Sequence, residues 1–466
     1  MVAGESTVGN ADPPGNAPGP WLGGLWSSAS SSPAGPAIQD IGRQPAAQQA
    51  ARQNARLRDH LQYLAAHSPF YRQLLASQGM TPADIRTPHD LAGIPMTAKA
   101  DLEARNLDFL CVNELDIVDL CLSSGTTGKP VALMQTRADL DRLSYNEELS
   151  FRMAGITARD RVLIAAAIDR CFMAGLAYFM GLVRIGAAVL RAGSGNTALL
   201  LELVRQYRPT AMVGVPSLMV SAGERLAKTG GAPAALGVKR LICIGEPVRR
   251  PDLSLSPLGQ RLQELWGAQV FGTYASTEMA TAFGDCEHGQ GGHLHPDLMV
   301  VEVVDEQGRV LPPGETGEVV ATPLGVTGMP LLRFRTGDLA CLHPEPCRCG
   351  RTSPRLGPVV GRKTQMLKVR GATVYPPAIA TVLHGMREIQ GYYIEVYDAY
   401  ELSDSIRVVV GVDTPATVTA AAIADQLGAT LRVRPEVVVT TLEAIQQKTI
   451  QSDQRKPVTF FDYRRK

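Results

Sequence analysis

The fold is most strongly constrained by the alternation of short apolar runs with amphipathic segments between residues 162 and 274. Apolar runs of strand length occur at Val162–Ala166, Ala187–Leu190, Ala211–Val215, Leu241–Ile244 and Val270–Tyr274. Helical patterns lie between them, for example over Leu199–Tyr207 and Leu258–Trp266. Strands that alternate with helices are typical of an α/β core with a largely parallel sheet. The sequence therefore predicts this fold class.

The pattern changes near residue 298. The apolar runs Met299–Val304 and Gly317–Thr322 are separated by a turn signal at Gly308, which predicts antiparallel strands. From Gly361 onward, the order helix, strand, strand, helix, strand predicts a small α+β domain of about 100 residues.

The chain has 466 residues, which is too long for one ordinary core. Its first 45 residues are rich in Gly, Pro, Ala and Ser, a composition typical of disorder. We predict a disordered tail over residues 1–45, a large domain over 46–360 and a small domain over 361–466. Within the large domain, one helix is predicted to end near His67, and Ser68-Pro69 to begin the next.

Charge and targeting signals exclude several classes of protein. The net charge of +1 gives no reason to expect a nucleic-acid or membrane partner. No run of 18 apolar residues occurs, and the N-terminus lacks the basic start and apolar segment of a secretory signal. Without an export signal, the eight cysteines are expected to be reduced thiols. We therefore expect a cytoplasmic protein.

The segment SSGTTGKP, from Ser123 to Pro130, has the composition of a phosphate-binding turn. It follows the apolar run Ile117–Leu122, an expected strand, and it offers glycine amides, hydroxyls and one lysine. It is not a Walker A loop, which needs glycine at position 123 and serine or threonine at position 130. A flexible surface turn is the alternative, but the order of strand, hydroxyl-rich turn and Lys129 favours a polyphosphate site.

Two acidic residues stand at positions that suit a nucleotide. Glu278 ends the run TYASTE directly after a predicted strand, where a carboxylate suits the Mg²⁺ that accompanies nucleotide phosphates. Asp338 lies in the turn RTGD and is able to bind a ribose diol. Taken alone, either residue is more simply a loop acid, and Lys456 is more simply an exposed tail lysine.

Cysteine and histidine residues with metal-ligand spacing occur in two places. Cys347 and Cys349 form a C-x-C pair in a Pro-rich turn. Upstream lie Cys286, His288, His293 and His295, of which Cys286 and His293 have six residues between them. Thiolates together with an imidazole suit tetrahedral Zn²⁺. Free thiols in a loop are the alternative interpretation of the C-x-C pair.

The ordered set of motifs resembles one family. It includes SPFYRQLL, SSGTTGKPV, TYASTE, FRTGDLA, CRCGRTSPRLG, GRKTQMLKVRGATVYPPAI and RKPVTFFDYR, and extends from about Leu57 to Arg464. The chain resembles the adenylate-forming superfamily of acyl-CoA synthetases, adenylation domains and luciferases, and most closely the phenylacetate–CoA ligase group. The resemblance implies a large N-terminal domain of α/β subdomains with a small antiparallel barrel-like part, followed by a small mobile α+β domain.

The resemblance implies an ATP site. The β- and γ-phosphates would be held by Ser123, Ser124, Gly125, Thr126, Thr127, Gly128 and Lys129. Glu246 and Tyr274 would contact the adenine side, and Thr277 would meet the phosphate. Asp338 would bind the ribose hydroxyls, with Arg362 nearby.

The implied chemistry has two halves. A carboxylate attacks the α-phosphate of ATP and gives acyl-AMP and pyrophosphate, and the thiol of CoA then takes the acyl group. Lys456 would stabilise charge in the first transition state, and Glu278 would bind Mg²⁺. Between the halves the small domain rotates just after Gly361-Arg362, which replaces Lys456 by the face that carries Val369 to Gly371.

The resemblance also implies a structural zinc site, because some members of the group bind zinc through a Cys, a His and the C-x-C pair. The matching residues are Cys286, His293, Cys347 and Cys349. Four protein ligands leave no open position for water, so the metal would be structural.

The acid-binding pocket implied by the resemblance has an apolar lining. Its residues are Phe172, Tyr178, Leu218, Gly245 and Phe271. Such a lining fits an aryl or cyclic hydrophobic acid. Core packing is the alternative interpretation of most of these side chains.

The acyl acceptor is left open. CoA is the usual acceptor of the group, whereas related enzymes use an amine or a carrier-protein thiol. The chain departs from the family pattern at the pivot, Thr364, and beside the lysine, Arg455, and neither departure decides the acceptor. A non-catalytic nucleotide- or zinc-binding homologue is disfavoured because Glu278, Asp338 and Lys456 are all present. Homodimers are common in the group, so the resemblance also allows a homodimer.

Overall fold

The computed structural model describes residues 40–123, 131–194, 197–369, 372–398, 404–413, 419–450 and 457–464, all within one compact unit. The tail predicted over residues 1–45 extends too far, because Ile41–Arg43 form a turn of 3-10 helix. The side chain of Asp40 caps this turn by accepting a hydrogen bond from the Gly42 amide. The predicted division between a large and a small domain near residue 360 stays a prediction.

The first described region is helical and ends in a two-stranded ribbon. Its elements are α1 (Ala46–His67), α2 (Pro69–Ser77), α3 (Lys99–Arg105), β1 (Ile117–Leu122) and β2 (Ala132–Thr136). Short 3-10 turns lie at Pro82–Asp84, Pro88–Gly93, Asn106–Phe109 and Glu114–Asp116. The Oγ of Ser68 accepts a hydrogen bond from the Tyr71 amide, and Pro69 takes the first helical position of α2. The predicted helix junction and the strand before Ser123 are confirmed.

A six-stranded sheet occupies the centre of the chain, as the alternation predicted. Its strands are β3 (Arg161–Ala165), β4 (Ala188–Arg191), β5 (Ala211–Gly214), β6 (Arg240–Ile244), β7 (Gln269–Ser276) and β8 (Thr281–Gly284). The helices around it are α4 (Arg137–Met153), α5 (Met173–Ile185), α6 (Thr197–Tyr207), α7 (Pro216–Lys228) and α8 (Pro257–Trp266), with a 3-10 turn at Pro233–Leu236. The strand order is β4-β3-β5-β6-β7-β8, and only the β7–β8 pair in this sheet is antiparallel.

Both faces of this sheet are covered by helices. Ile242 and Phe271 pack in one buried cluster with residues of α4 and α5. Leu241 and Val270, their neighbours on the same strands, pack in another cluster with residues of α6, α7 and α8. Successive residues of a strand point to opposite faces, so a strand buried on both sides is a continuous apolar run. This explains why the sequence showed apolar runs here instead of alternation.

A second sheet is antiparallel and follows β8. Its strands are β9 (Gly292–His293), β10 (Met299–Val304), β11 (Thr316–Pro323), β12 (Phe334–His343), β13 (Arg355–Leu356) and β14 (Gly361–Arg362). The order is β10-β11-β12-β13-β9, and β14 also pairs with β12. The predicted antiparallel meander is confirmed over β10 and β11.

The C-terminal region contains a four-stranded sheet with helices. Its elements are β15 (Leu367–Val369), β16 (Ala372–Val374), α9 (Pro376–His384), β17 (Ile389–Asp398), β18 (Asp404–Val412), α10 (Ala420–Leu431), β19 (Glu436–Thr441), α11 (Leu442–Thr449) and β20 (Phe460–Asp462), with a 3-10 turn at Lys363–Gln365. The sheet order is β19-β18-β17-β20. The predicted order of helices and strands corresponds to α9, β17, β18, α10 and β19. The prediction missed the β15–β16 hairpin, α11 and β20, which are too short for a clear period.

None of the helices in the described part of the chain is both long enough and apolar enough to cross a membrane.

A buried ion pair joins the N-terminal turns to the antiparallel sheet. The Nε and Nη2 of Arg333 donate to the two carboxylate oxygens of Glu302 at 3.0 and 2.9 Å, and its Nη1 donates to the carbonyl of Ile94 at 2.6 Å. The side chain of Arg333 is 2% exposed. Both partners are removed from water, so each depends on the other for hydrogen bonding.

We predict that Arg333→Met destabilises the protein by about 3–5 kcal/mol, because it leaves the Glu302 carboxylate buried and unpaired. The measurement is the free energy of unfolding in denaturant. The matched control is Arg309→Met, whose guanidinium pairs with Asp305 at the surface and is 77% exposed. This control is expected to leave stability nearly unchanged. Equal losses in the two variants would contradict the prediction.

Candidate active site and metal centre

The predicted nucleotide-binding residues lie where neighbouring strands of the central sheet end. Strand β6 is followed by Gly245 and Glu246, and β7 is followed by Thr277 and Glu278. The two strands are parallel neighbours, so these segments lie at the same edge of the sheet. In open α/β sheets, ligands bind outside the carboxyl ends of the strands.

Glu246 is held at the start of helix α7. Its Oε2 accepts a hydrogen bond from the Ser217 amide at 2.9 Å, and its Oε1 accepts one from the Ser217 Oγ at 2.8 Å. The first amides of a helix lack partners within the helix, and the helix dipole favours a carboxylate there. Gly245 precedes it with a φ of 75°, a conformation that glycine adopts without strain. The fold therefore fixes the Glu246 carboxylate in place.

Asp338 connects three strands. Its Oδ2 accepts a hydrogen bond from the Tyr274 hydroxyl at 3.0 Å, and its Oδ1 accepts one from Arg362 Nε at 2.8 Å. Asp338 is 5% exposed, and Arg362 stands opposite it in the antiparallel β12–β14 pair. Burial first, and then the charge of Asp338, raises the pKa of Tyr274 well above its usual range, so its hydroxyl donates the proton. The structure thus brings together predicted contacts to adenine and ribose.

A second charged cluster, which the sequence analysis missed, lies beside Asp338. Arg335 donates to both carboxylate oxygens of Glu318, and the Nζ of Lys363 lies 3.4 Å from Glu318 Oε2. Glu318 is buried on β11. This cluster connects the antiparallel sheet to the residue just before the predicted pivot, Thr364. A glutamate within an otherwise apolar strand was the available sequence signal.

Thr277 and Glu278 lie in the turn between β7 and β8. The Ala280 amide donates to the Thr277 carbonyl at 3.2 Å, and the Met279 amide donates to the Ser276 Oγ at 3.2 Å. Both predicted site residues are half-buried. The turn therefore holds a carboxylate at the edge of the sheet, a position that suits Mg²⁺ bound together with phosphates.

The predicted phosphate-binding turn is described only at its two ends. The Oγ of Ser123 accepts a hydrogen bond from the Val131 amide at 3.3 Å, and the Ser123 amide donates to the Val131 carbonyl at 2.9 Å. These two bonds close the loop at its base. Residues 124–130, and with them the predicted phosphate contacts through Lys129, lie outside the described residues, as does Lys456.

The five predicted residues of the acid-binding pocket lie in different surroundings. Tyr178 and Phe271 are buried between α4, α5 and the central sheet, where they line a cavity of about 10 Å³. Phe172 is half-buried at the start of α5, Leu218 is half-buried on α7, and Gly245 is exposed. A cavity of this volume has room for about one water molecule. Their role in binding an acid stays a prediction.

The predicted metal ligands come together in a buried cluster. The ligand atoms of Cys286, His293, Cys347 and Cys349 all lie within 4.8 Å of one another. The Sγ atoms of Cys286 and Cys347 are 3.6 Å apart, and the Sγ of Cys349 is 3.5 Å from the Nε2 of His293. The fold thus unites four thiol and imidazole groups from separate parts of the sequence.

These distances fit tetrahedral zinc. With Zn–S near 2.3 Å and Zn–N near 2.0–2.1 Å, a tetrahedron separates two sulfur ligands by about 3.8 Å and a sulfur from a nitrogen by about 3.6 Å. Burial lowers the pKa of His293 to about 3, so its imidazole is neutral, which is the form that binds metal. Burial raises the pKa of the Cys286 thiol, a cost to the thiolate that a bound cation would offset.

The C-x-C loop is also held by the first described residues of the chain. Arg351 donates to the Cys349 Sγ at 3.4 Å and to Asp40 Oδ2 at 2.6 Å. The Nε2 of Gln49 donates to the Thr352 Oγ1 at 2.7 Å. Arg351 and Asp40, like Gln49 and Thr352, are more than 300 residues apart in the sequence. The sequence analysis therefore missed both contacts and placed Asp40 in a disordered tail.

Comparison with known families identifies the class of protein. Residues 50–328 match the family described as AMP-binding enzyme. The phenylacetate-coenzyme A ligase of Thermus thermophilus is 33% identical over 73% of this chain and 76% of its own length. The enzyme of the same name from Pseudomonas putida is 30% identical over 76% of this chain and 79% of its own length. The chain therefore belongs to the AMP-binding enzyme family.

Solved structures give the same fold. A 2-hydroxyisobutyryl-CoA ligase in the postadenylation state superposes with a TM-score of 0.81, at 24% identity over 91% of both chains. The same ligase in the thioesterification state superposes with a TM-score of 0.67, at 26% identity over 91% of both chains. Together, the comparisons confirm the predicted family, the predicted fold class and the predicted enzyme class, an AMP-forming acid–thiol ligase.

Proposed function

We propose that this chain activates an aryl or cyclic hydrophobic carboxylic acid as acyl-AMP and transfers the acyl group to CoA. The observation that carries the proposal is the buried Asp338, which joins Tyr274 and Arg362 at the edge of the sheet where Glu246 and Glu278 also stand. This arrangement supports binding of a nucleotide and its metal ion at one place. Relatives named phenylacetate-coenzyme A ligases support an acid that carries an aromatic ring.

In the first half-reaction, a carboxylate oxygen of the acid attacks the α-phosphorus of ATP. The bond between the α-phosphorus and the bridging oxygen breaks, and pyrophosphate leaves with the electron pair. Asp338 would hold the ribose hydroxyls, and Glu278 would hold a Mg²⁺ ion, which would supply positive charge to the phosphates. The ammonium group of Lys456 bridges the attacking carboxylate and the α-phosphate, where charge develops in the transition state. The turn from Ser123 to Lys129 holds the leaving phosphates.

In the second half-reaction, the sulfur of CoA attacks the acyl carbonyl, and the bond to AMP breaks. The proposed rotation of the small domain around Thr364 exchanges Lys456 for the segment that begins at Val369. Neither Thr364 nor Arg455 forbids this movement, because a hinge needs only to tolerate a change in φ and ψ. An amine or a carrier-protein thiol is the alternative acceptor, and product analysis distinguishes the three. A homodimer remains an expectation from the resemblance alone.

We infer in addition that Cys286, His293, Cys347 and Cys349 hold one structural zinc ion. The spacing of the ligand atoms, their burial and the neutral imidazole support this site. With four protein ligands, the metal supplies no chemistry to the reaction. It would link β9 to the C-x-C loop and, through Arg351, to the segment around Asp40.

We predict one zinc ion per chain, and we predict that Cys349→Ser lowers this content. Loss of the metal should also speed hydrogen exchange of amides in residues 40–49, which pack on the C-x-C loop. Elemental analysis and exchange mass spectrometry are the two measurements. The matched control is Cys341→Ser, because Cys341 lies outside the cluster and should leave the zinc content unchanged. Wild-type protein purified without zinc after growth with zinc would refute the site.

The proposed reaction is tested with a panel of aryl and alicyclic acids, by acid-dependent pyrophosphate release and by product analysis with CoA, amines and carrier protein. We predict that Lys456→Ala slows pyrophosphate release by a factor of about 10²–10³, because it removes a cation from the transition state. Thioester formation from preformed acyl-AMP should be affected less. The control Lys448→Ala changes a half-buried lysine of α11, whose Nζ donates to the Tyr463 hydroxyl, and should act like wild type. A Lys456→Ala variant as fast as wild type would contradict the mechanism.

A further inference from the structure

A small cavity that is lined by both apolar and polar side chains lies inside the core between α4, α5 and the central sheet. Its volume is about 10 Å³. The residues that matter in its lining are Glu147, Ser150, Tyr178, Ile242, Phe271 and Thr273. Two of these, Tyr178 and Phe271, are predicted residues of the acid-binding pocket. The others were not singled out by the sequence analysis.

Glu147 lines this cavity in an unusual state. It is 4% exposed, and no hydrogen bond or charge in the described part of the chain contributes to its ionisation. Burial raises its pKa to about 8, so the group is protonated at neutral pH and both donates and accepts hydrogen bonds. The Oγ of Ser150, one helical turn further along α4, is also buried without a partner in the described part of the chain.

The next residue on the same helix, Glu148, has the charged partners that a buried carboxylate ordinarily has. Glu148 accepts hydrogen bonds from Arg152 Nη2 and Arg184 Nε, both at 2.9 Å. Close packing of α5 on α4 keeps Glu147 in place, since a Cβ at Gly181 would lie 2.4 Å from the Glu147 Cβ. A buried polar group without a partner is destabilising, so its presence calls for a ligand or a water. The Oγ of Ser150 is such a group, and it lines one cavity together with the Glu147 side chain.

The cavity lies at a suitable depth below the nucleotide site. Phe271 precedes Tyr274 by three residues on β7, and Ile242 precedes Glu246 by four residues at the end of β6. At about 3.3 Å per residue, the lining extends from Thr273, one residue before Tyr274, to Phe271, about 10 Å below the edge where the carboxylate would react. An aryl acid spans a distance of this order. The far end of its ring would therefore reach the cavity.

We propose that Glu147 and Ser150 form a polar subsite at the inner end of the acid-binding pocket, which takes a hydroxyl or amino substituent on the ring of the acid. The inference rests on the proposed function. A cavity with room for about one water molecule matches one such substituent in size. The substituent donates a hydrogen bond to the Glu147 carbonyl oxygen, and the Ser150 hydroxyl completes its bonding. A site built to bond such a group discriminates against the acid that lacks it.

The test compares matched acids in acid-dependent pyrophosphate release. The acids are phenylacetic acid, its hydroxy and amino derivatives at each ring position, and the corresponding methoxy derivatives. We predict that wild type prefers at least one hydroxy or amino acid over phenylacetic acid by about tenfold or more in kcat/KM. Comparison of the hydroxy acids with the amino acids of the series shows which of the two hydrogen-bond donors the subsite binds. The methoxy acids, which are larger and donate no hydrogen bond, should be poor substrates.

Substitutions on α4 test whether the subsite causes the preference for a hydroxy or amino acid over phenylacetic acid. Glu147→Leu should abolish it, mainly by raising KM for the favoured acid. Glu147→Gln should retain part of it, and Ser150→Ala should reduce it less than Glu147→Leu does. The matched control Glu148→Gln should keep the wild-type ratio between acids, because Glu148 lies outside the cavity. Since Glu147→Leu removes an unpaired buried acid, its melting temperature should be equal to that of wild type or higher.

Two results would overturn the proposal, and they are distinguishable. If the acids are activated but the two Glu147 variants and Ser150→Ala all keep the wild-type ratio, the subsite is refuted while the proposed function stands. If wild type releases no pyrophosphate with any acid of the series or of the wider panel, the proposed function fails and the subsite fails with it.

Discussion

The candidate active site depends on one buried carboxylate. Asp338 on β12 accepts hydrogen bonds from Tyr274, at the end of the parallel sheet, and from Arg362, on the last strand before the C-terminal region. A carboxylate removed from water needs such donors in place of solvent. Both hydrogen bonds form only when the central sheet, the antiparallel sheet and the strand of Arg362 are in their observed positions relative to one another. Only in this arrangement can Glu246 and Glu278 contact the same nucleotide as Asp338.

Asp285 connects this site to the metal cluster and to the inner cavity. Its Oδ2 accepts hydrogen bonds from Gly272 N on β7 and from Arg249 Nε, its Oδ1 accepts one from Gly291 N, and the next residue is Cys286. Asp285 also lines the cavity that contains Glu147. Through the bond from Gly272, the loop of the proposed zinc site thus holds the strand that carries Tyr274. A structural metal would thereby stabilise the active-site strand without taking part in the reaction.

The sequence was sufficient to predict those elements that depend on the local pattern of residues. Apolar runs gave the strands of the central sheet, and the capping signal at Ser68-Pro69 gave a helix junction. The spacing of cysteine and histidine residues indicated two places with candidate metal ligands, and the family resemblance selected the set of four that pairs Cys286 with Cys347 across 61 residues. The contact of Arg351 with Asp40 and the burial of Glu147 could not be predicted. Both depend on tertiary packing, and a glutamate on a helix gives no local sign that it faces the core.

The central claim is that the chain uses ATP to make an acyl-AMP and then a CoA thioester. The most direct measurement is the stoichiometry of products when the protein is supplied with ATP, Mg²⁺, CoA and an accepted aryl acid. The account predicts one AMP, one pyrophosphate and one acyl-CoA per acid consumed, with no AMP formed when the acid is omitted. Formation of ADP and phosphate, or AMP production independent of any acid, would contradict it.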